Sequence, residues 1–123
     1  MKGFVLYNGA GSGISGGTFM ADVKATFYLP LKDNDGRPLA SEISTVEDAC
    51  YEAFGAWTLT GLFQGVWRMK TGERKMDTSA VYMIVLAEER LPELEAIIRS
   101  FKAKTQQESI FLEVERNVDV RFL

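Results

Sequence analysis

Histidine is absent from all 123 residues. That removes Ser-His-Asp and Cys-His catalysis, imidazole-based metal sites and the side chain that switches charge near neutral pH. Cysteine occurs once, as Cys50. One thiol excludes an internal disulfide and any zinc or iron–sulfur centre built on several thiolates. It also lacks the base that activates a cysteine nucleophile, so Cys50 reads as a buried structural thiol. Long hydrophobic runs are missing as well. The longest early one, Phe4-Val5-Leu6-Tyr7, is too short for a signal-peptide core or a membrane span. A lone free cysteine suits a reducing compartment, and the expected location is cytoplasmic, with no membrane partner. Positive charge is not in surplus: 14 basic against 17 acidic residues leave a net −3. No nucleic-acid partner is expected from that balance.

What is present is the composition of one ordinary globular domain, 46% hydrophobic and 25% charged. Six of the eleven glycines fall within residues 1–17, so residues 1–18 read as a Gly-rich segment, flexible or forming a short extra strand. Met20 stands where this tract ends and is a candidate alternative start. Gly9-Ala10-Gly11-Ser12-Gly13-Ile14 has the look of a dinucleotide loop, but its sixth position is Ile and a strand follows it, so the nucleotide-binding context fails. Residues 19–123 are expected to form the domain.

Residues 19–31 alternate apolar and polar, the mark of a half-buried strand. Asp33-Asn34-Asp35-Gly36 lacks the further ligands of a calcium loop and reads as a turn. Ile43, Val46, Cys50 and Phe54 share one helical face, with Ser44 and Glu47 as a capping box, Ser41 as the rival cap and Gly55 as the terminator. Residues 58–70 and 78–87 read as a strand hairpin joined by a polar connector at 71–75, with Gly61 and Gly65 suggesting a bulge or close approach. A second helix spans 91–104, with Pro92 and Glu93 at its start and Lys102 and Lys104 at its end. A last strand runs from near Ser109 to the end of the chain. The order β-α-β-β-α-β predicts an α+β, ferredoxin-like domain: a four-stranded antiparallel sheet with two helices on one face. The other face keeps Met20, Tyr28 and either Leu62 and Val66 or Phe63 and Trp67, a mixed patch that suggests a homo-oligomer, dimer or trimer.

Few residues promise chemistry. Glu113, Glu115 and Asp119 share a strand face and read as solvated carboxylates. Arg68, Lys70, Arg74 and Lys75 surround a single Glu73, with Trp67 beside them. They are the candidate ligand-binding residues, suited to a small anion through charge-assisted bonds. No catalytic residue, metal site or cofactor is expected.

Gly65-Val66-Trp67-Arg68, the apolar strand Ala80–Leu86, the helix Leu91–Lys104 and then Gln107-Glu108-Ser109-Ile110 follow one another in order. Over residues 57–115 the chain resembles an uncharacterised domain family of small bacterial proteins, a resemblance that implies a fold but no activity. Thr60-Gly61-Leu62-Phe63-Gln64-Gly65-Val66 is more loosely similar to the trimeric nitrogen-regulatory signal proteins, whose topology is also that of the divalent-cation tolerance family. The expected function is therefore non-enzymatic: a self-associating protein that binds a small ligand or protein partner. One alternative is a small enzyme of the ferredoxin-like monooxygenase type, its cleft between sheet and helices. A second is an interaction module of a mobile genetic element.

Overall fold

Strand alternation becomes strand β1 at Asp22–Pro30, close to the start of the described chain. The structure is a computed structural model that describes residues 21–123. The Gly-rich segment 1–18, Phe4–Tyr7, the Gly9–Ile14 loop and Met20 lie outside the described residues. After β1 come helix α1 (Ala40–Phe54), strands β2 (Thr58–Arg68) and β3 (Arg74–Ala87), a short 3-10 turn at Glu88–Arg90, helix α2 (Leu91–Thr105) and strand β4 (Leu112–Glu115). The sheet order is β2-β3-β1-β4, every pair antiparallel. This is the ferredoxin-like arrangement expected from the order of elements.

Register explains the core. Val23, Ala25, Phe27 and Leu29 stand opposite Leu86, Ile84, Tyr82 and Ala80, and all eight are buried. Ile43, Val46 and Cys50 of α1 and Leu91, Leu94, Ile98 and Phe101 of α2 pack on the same face. Removing one large member such as Phe27 would cost about 3–5 kcal/mol.

Helix ends show which local signals prevail. Gly55 closes α1 at φ 82°, its N–H donating to Tyr51 O. At the other end α1 begins at Ala40, and neither Ser41 nor Ser44 caps it. Leu39 occupies the cap position, fully buried, its N–H donating to Leu31 O at 2.9 Å. Burial of that side chain sets the entry of the helix, and Glu47 is left to accept a bond from the Tyr82 hydroxyl instead of the chain start.

Two strand boundaries differ from the sequence pattern. β3 starts at Arg74, so the connector shrinks to a tight turn in which Met69 N–H donates to Glu73 O at 2.9 Å and Gly72 takes φ 94°. Among the described residues the final strand is shorter than its pattern, with β4 at Leu112–Glu115. Its partner β1 places Lys24 opposite Glu115. Arg116 then turns aside to bond Glu88 at 2.7 Å, and Asn117 adopts φ 62°. The expected bulge is present, with a register shift between Leu59 and Gly61. Gly61 is also a place of close approach, since a Cβ there would lie 3.0 Å from the Phe63 ring. No described helix is long and apolar enough to cross a membrane.

Candidate functional site on the open sheet face

Side chains that alternate with the core residues emerge on the face without helices. There Tyr28 stands beside Val81, which is itself opposite Gly61, and Pro30 stands beside Ser79, opposite Phe63. β1 ends at that level, but β2 and β3 continue as a two-stranded arm through Gly65–Asp77 and Trp67–Lys75 to Arg68–Arg74. Past α2 the chain returns along β1, where Tyr28 N–H donates to Phe111 O at 3.2 Å. The arm and this return segment also touch: Lys70 N–H donates to a Glu108 carboxylate oxygen at 3.3 Å. Between them lies a cavity of about 360 Å³, lined by Tyr28, Phe63, Trp67, Asp77, Ser79, Gln107 and Phe111 among others.

Its walls are aromatic. Tyr28 meets Phe111 at 4.6 Å between ring centroids and Phe63 edge-on at 6.0 Å. Gly65, opposite Asp77, carries no side chain, and nothing would obstruct a Cβ there. Asp77 is the one carboxylate of the lining. One of its oxygens accepts the Trp67 indole N–H at 2.6 Å, which orients both groups. Ser79 and Gln107 are buried polar residues. Gln107 is 6% exposed, and its Nε2 has no hydrogen-bond partner among the described residues. A buried donor left unpaired is uncommon in a folded protein.

The five residues expected to bind a ligand are not gathered at one point. Trp67 lines this cavity, and Lys75 is its cross-strand neighbour, with its ammonium donating to Asn34 O at 3.2 Å. Arg68 and Arg74 face each other at the arm's end, one residue out of phase with Trp67 and Lys75, so they emerge on the opposite face. They line a second cavity of about 360 Å³ with Val66, Trp67 and Gly72. Lys70 lies beyond β2, in the turn, and so does not continue the parity of Arg68. Sequence pattern singled out the charges. It passed over Asp77, Ser79 and Phe111, and met Gln107 only as part of a motif. The available signal was the open-face parity of β1 to β3, which carries Tyr28, Phe63, Trp67, Asp77 and Ser79 together.

Elsewhere the chemistry is quiet. Between the sheet and the helices lies the hydrophobic core. Cys50 is 1% exposed, and burial pushes its thiol up to about 12. Asp33 builds the expected turn, accepting from the N–H groups of Asp35 and Arg37 at 2.9 and 2.8 Å. The bond from Arg37 N–H is the main cause holding its carboxyl below the usual value. Glu115 pairs with Lys24 at 3.5 Å and Asp119 with Arg121 at 2.9 Å. No metal-binding cluster of acidic or thiol groups occurs among the described residues.

No family model matches the chain, and neither does any curated protein. Among solved structures, the chain is similar to a phage SAM lyase in complex with S-methyl-5′-thioadenosine, at 18% identity and a TM-score of 0.58. The match covers 86% of this chain and 90% of that one. At that identity the likeness establishes a shared fold. It also overturns the expectation that the protein is non-enzymatic, since the neighbour that shares the fold is a lyase. That expectation rested on the missing histidine and the inert cysteine, yet a lyase is built on the same frame over almost its whole length.

Proposed function

We propose that the protein is a lyase acting on a SAM-type sulfonium nucleoside, with the open-face cavity as its active site. The observation that carries this reading is the aromatic cavity with a single oriented carboxylate, on a fold shared with a lyase that holds a methylthio-nucleoside. Aromatic faces attract a sulfonium cation as they attract ammonium groups and stack on a nucleobase. Asp77 adds the opposite charge. Release of S-methyl-5′-thioadenosine from such a substrate breaks the bond between sulfur and the amino-acid side chain, joined in an elimination by one C–H bond. The electron pair returns to sulfur, which becomes a neutral thioether. The four-carbon fragment fills its open valence from its own atoms, by closing onto its own carboxylate or by forming a double bond and giving a proton to Asp77. Neither route adds water or another reactant. Both extinguish the sulfonium charge, and a site of low polarity favours a step that removes charge. A cytoplasmic setting suits a substrate of this kind.

Incubation with SAM followed by chromatography tests the reading. The expected result is S-methyl-5′-thioadenosine in amounts proportional to enzyme. Asp77→Asn should lower the rate by 100-fold or more, on the scale of lost acid–base or electrostatic catalysis, while S-methyl-5′-thioadenosine still raises its melting temperature. Absence of product together with absence of any thermal shift by SAM or the thioether would refute the proposal.

A further inference from the structure

Gln107 joins two observations that the lyase reading does not use. The residue is 6% exposed, and its Nε2 lacks a partner among the described residues, yet it lines an aromatic cavity that has room for a ligand. Its backbone leaves it little freedom. Gln106 takes φ 57°, and the N–H of Gln107 donates to Lys102 O at 3.1 Å, so the end of α2 fixes where the side chain starts. We infer that Gln107 is the specificity residue of the cavity and reads the edge of a 6-aminopurine. The inference rests on the cavity being a nucleoside site.

The chemistry is that of a donor and an acceptor on one carbon. A carboxamide offers N–H and C=O side by side. Adenine offers N7 as acceptor beside N6–H as donor, so the two match in a bidentate pair. A 6-oxopurine presents two acceptors on that edge. One of them would face the Gln107 carbonyl, and a bond would become a repulsion. Tyr28, Phe63 and Phe111 supply the apolar faces against which the ring is held. Nε2 is closed off in the free protein, so the pairing requires the carboxamide to turn into the cavity, where the base supplies the partner it lacks.

Calorimetric titration of S-methyl-5′-thioadenosine and S-methyl-5′-thioinosine into the full-length protein decides the matter. The wild type should bind the 6-amino compound at least tenfold more tightly. Gln107→Leu, close in volume and unable to hydrogen-bond, should lose that preference and bind the 6-amino compound about tenfold more weakly. Its melting temperature without ligand should be equal or higher, because an unpaired buried amide has been removed. Should Gln107→Leu fail to fold, the amide has a structural partner and the inference falls. Gln107→Glu, which keeps an acceptor for N6–H and loses the donor to N7, should retain part of the preference. A wild type that binds both purines equally, or a Gln107→Leu variant that still discriminates, overturns the inference while leaving the lyase reading intact. A wild type that binds neither compound overturns both.

Discussion

Tyr82 and Cys50 sit in the same layer of the core, and both keep their protons longer in the native state than in the unfolded chain. The Tyr82 ring stacks on Phe27 at 5.6 Å and meets Trp57 edge-on at 5.6 Å, while its hydroxyl donates to Glu47. Burial first, then that bond and the Glu47 charge, raise its pKa above the ordinary 10.0. Burial alone raises Cys50 from 9.0 to about 12. Because both folded values are raised, their contribution is fully present below the unfolded values. It is lost as pH climbs from about 9 towards 12 for the thiol, and from about 10 upwards for the phenol. Melting temperature should therefore hold level to about pH 9 and fall beyond it. Tyr82→Phe should cost about 1 kcal/mol near neutral pH through the lost bond, yet show a shallower decline above pH 10. A decline of unchanged steepness in Tyr82→Phe would contradict this account. Gly55 is a second residue whose role is narrow. At φ 82° a side chain is strained, and Gly55→Ala should lower stability by about 1 kcal/mol in urea unfolding.

At the level of elements, the β2–β3 hairpin is two objects joined end to end. Its inner half, up to Phe63–Ser79, has β1 as a third strand. Its outer half, from Gly65–Asp77 to Arg68–Arg74, has none among the described residues. Two-stranded ribbons are marginal in water, so amides of the outer half should exchange with solvent markedly faster than those of Ala80–Leu86. Hydrogen-exchange mass spectrometry would show this, and equal protection in both halves would disprove it. A ligand in the cavity should slow exchange at Gly65 and Trp67, which line it. The arm's tip also carries an unfavourable pair. Arg68 and Arg74 are directly opposed, and like charges in that position repel. Arg74→Glu should stabilise the protein by about 0.5 kcal/mol, an effect that shrinks as salt is raised.

For the molecule as a whole, the cavity exists only in the folded state. Its lining comes from β1, from both strands of the arm and from the segment after α2. A ligand that binds there binds no unfolded chain, so S-methyl-5′-thioadenosine at 100 times its Kd should add about 2.7 kcal/mol of stability. Tyr28→Ala should abolish most of that gain by removing the ring that joins Phe63 and Phe111. A thermal shift in Tyr28→Ala equal to that of the wild type would place the binding elsewhere.

Some of this was legible residue by residue. Alternation from Val23 to Leu29 marked β1 and its buried side. Ile43, Val46 and Cys50 marked the inner face of α1, and the stripe from Leu91 to Phe101 that of α2, because periodicity of apolar residues is set by backbone geometry and needs no neighbours. From these the element order followed, and from the order the ferredoxin-like sheet. Local signals failed where a distant contact overrode them. Ser44 yielded the helix start to the buried Leu39, and the last strand stops at Glu115, where Arg116 turns to Glu88 and Asn117 takes φ 62°. The cavity was beyond the sequence for the same reason. Tyr28, Asp77 and Gln107 are separated by about 50 and 30 positions along the chain, and no pattern of spacing relates them. Apolar period and turn chemistry act over a few residues and determined the architecture. Cross-strand register and the path of the chain after α2 act over the whole fold. They alone decided that an aromatic wall, one carboxylate and one unpaired amide share a space, and that the paired arginines stand apart from it.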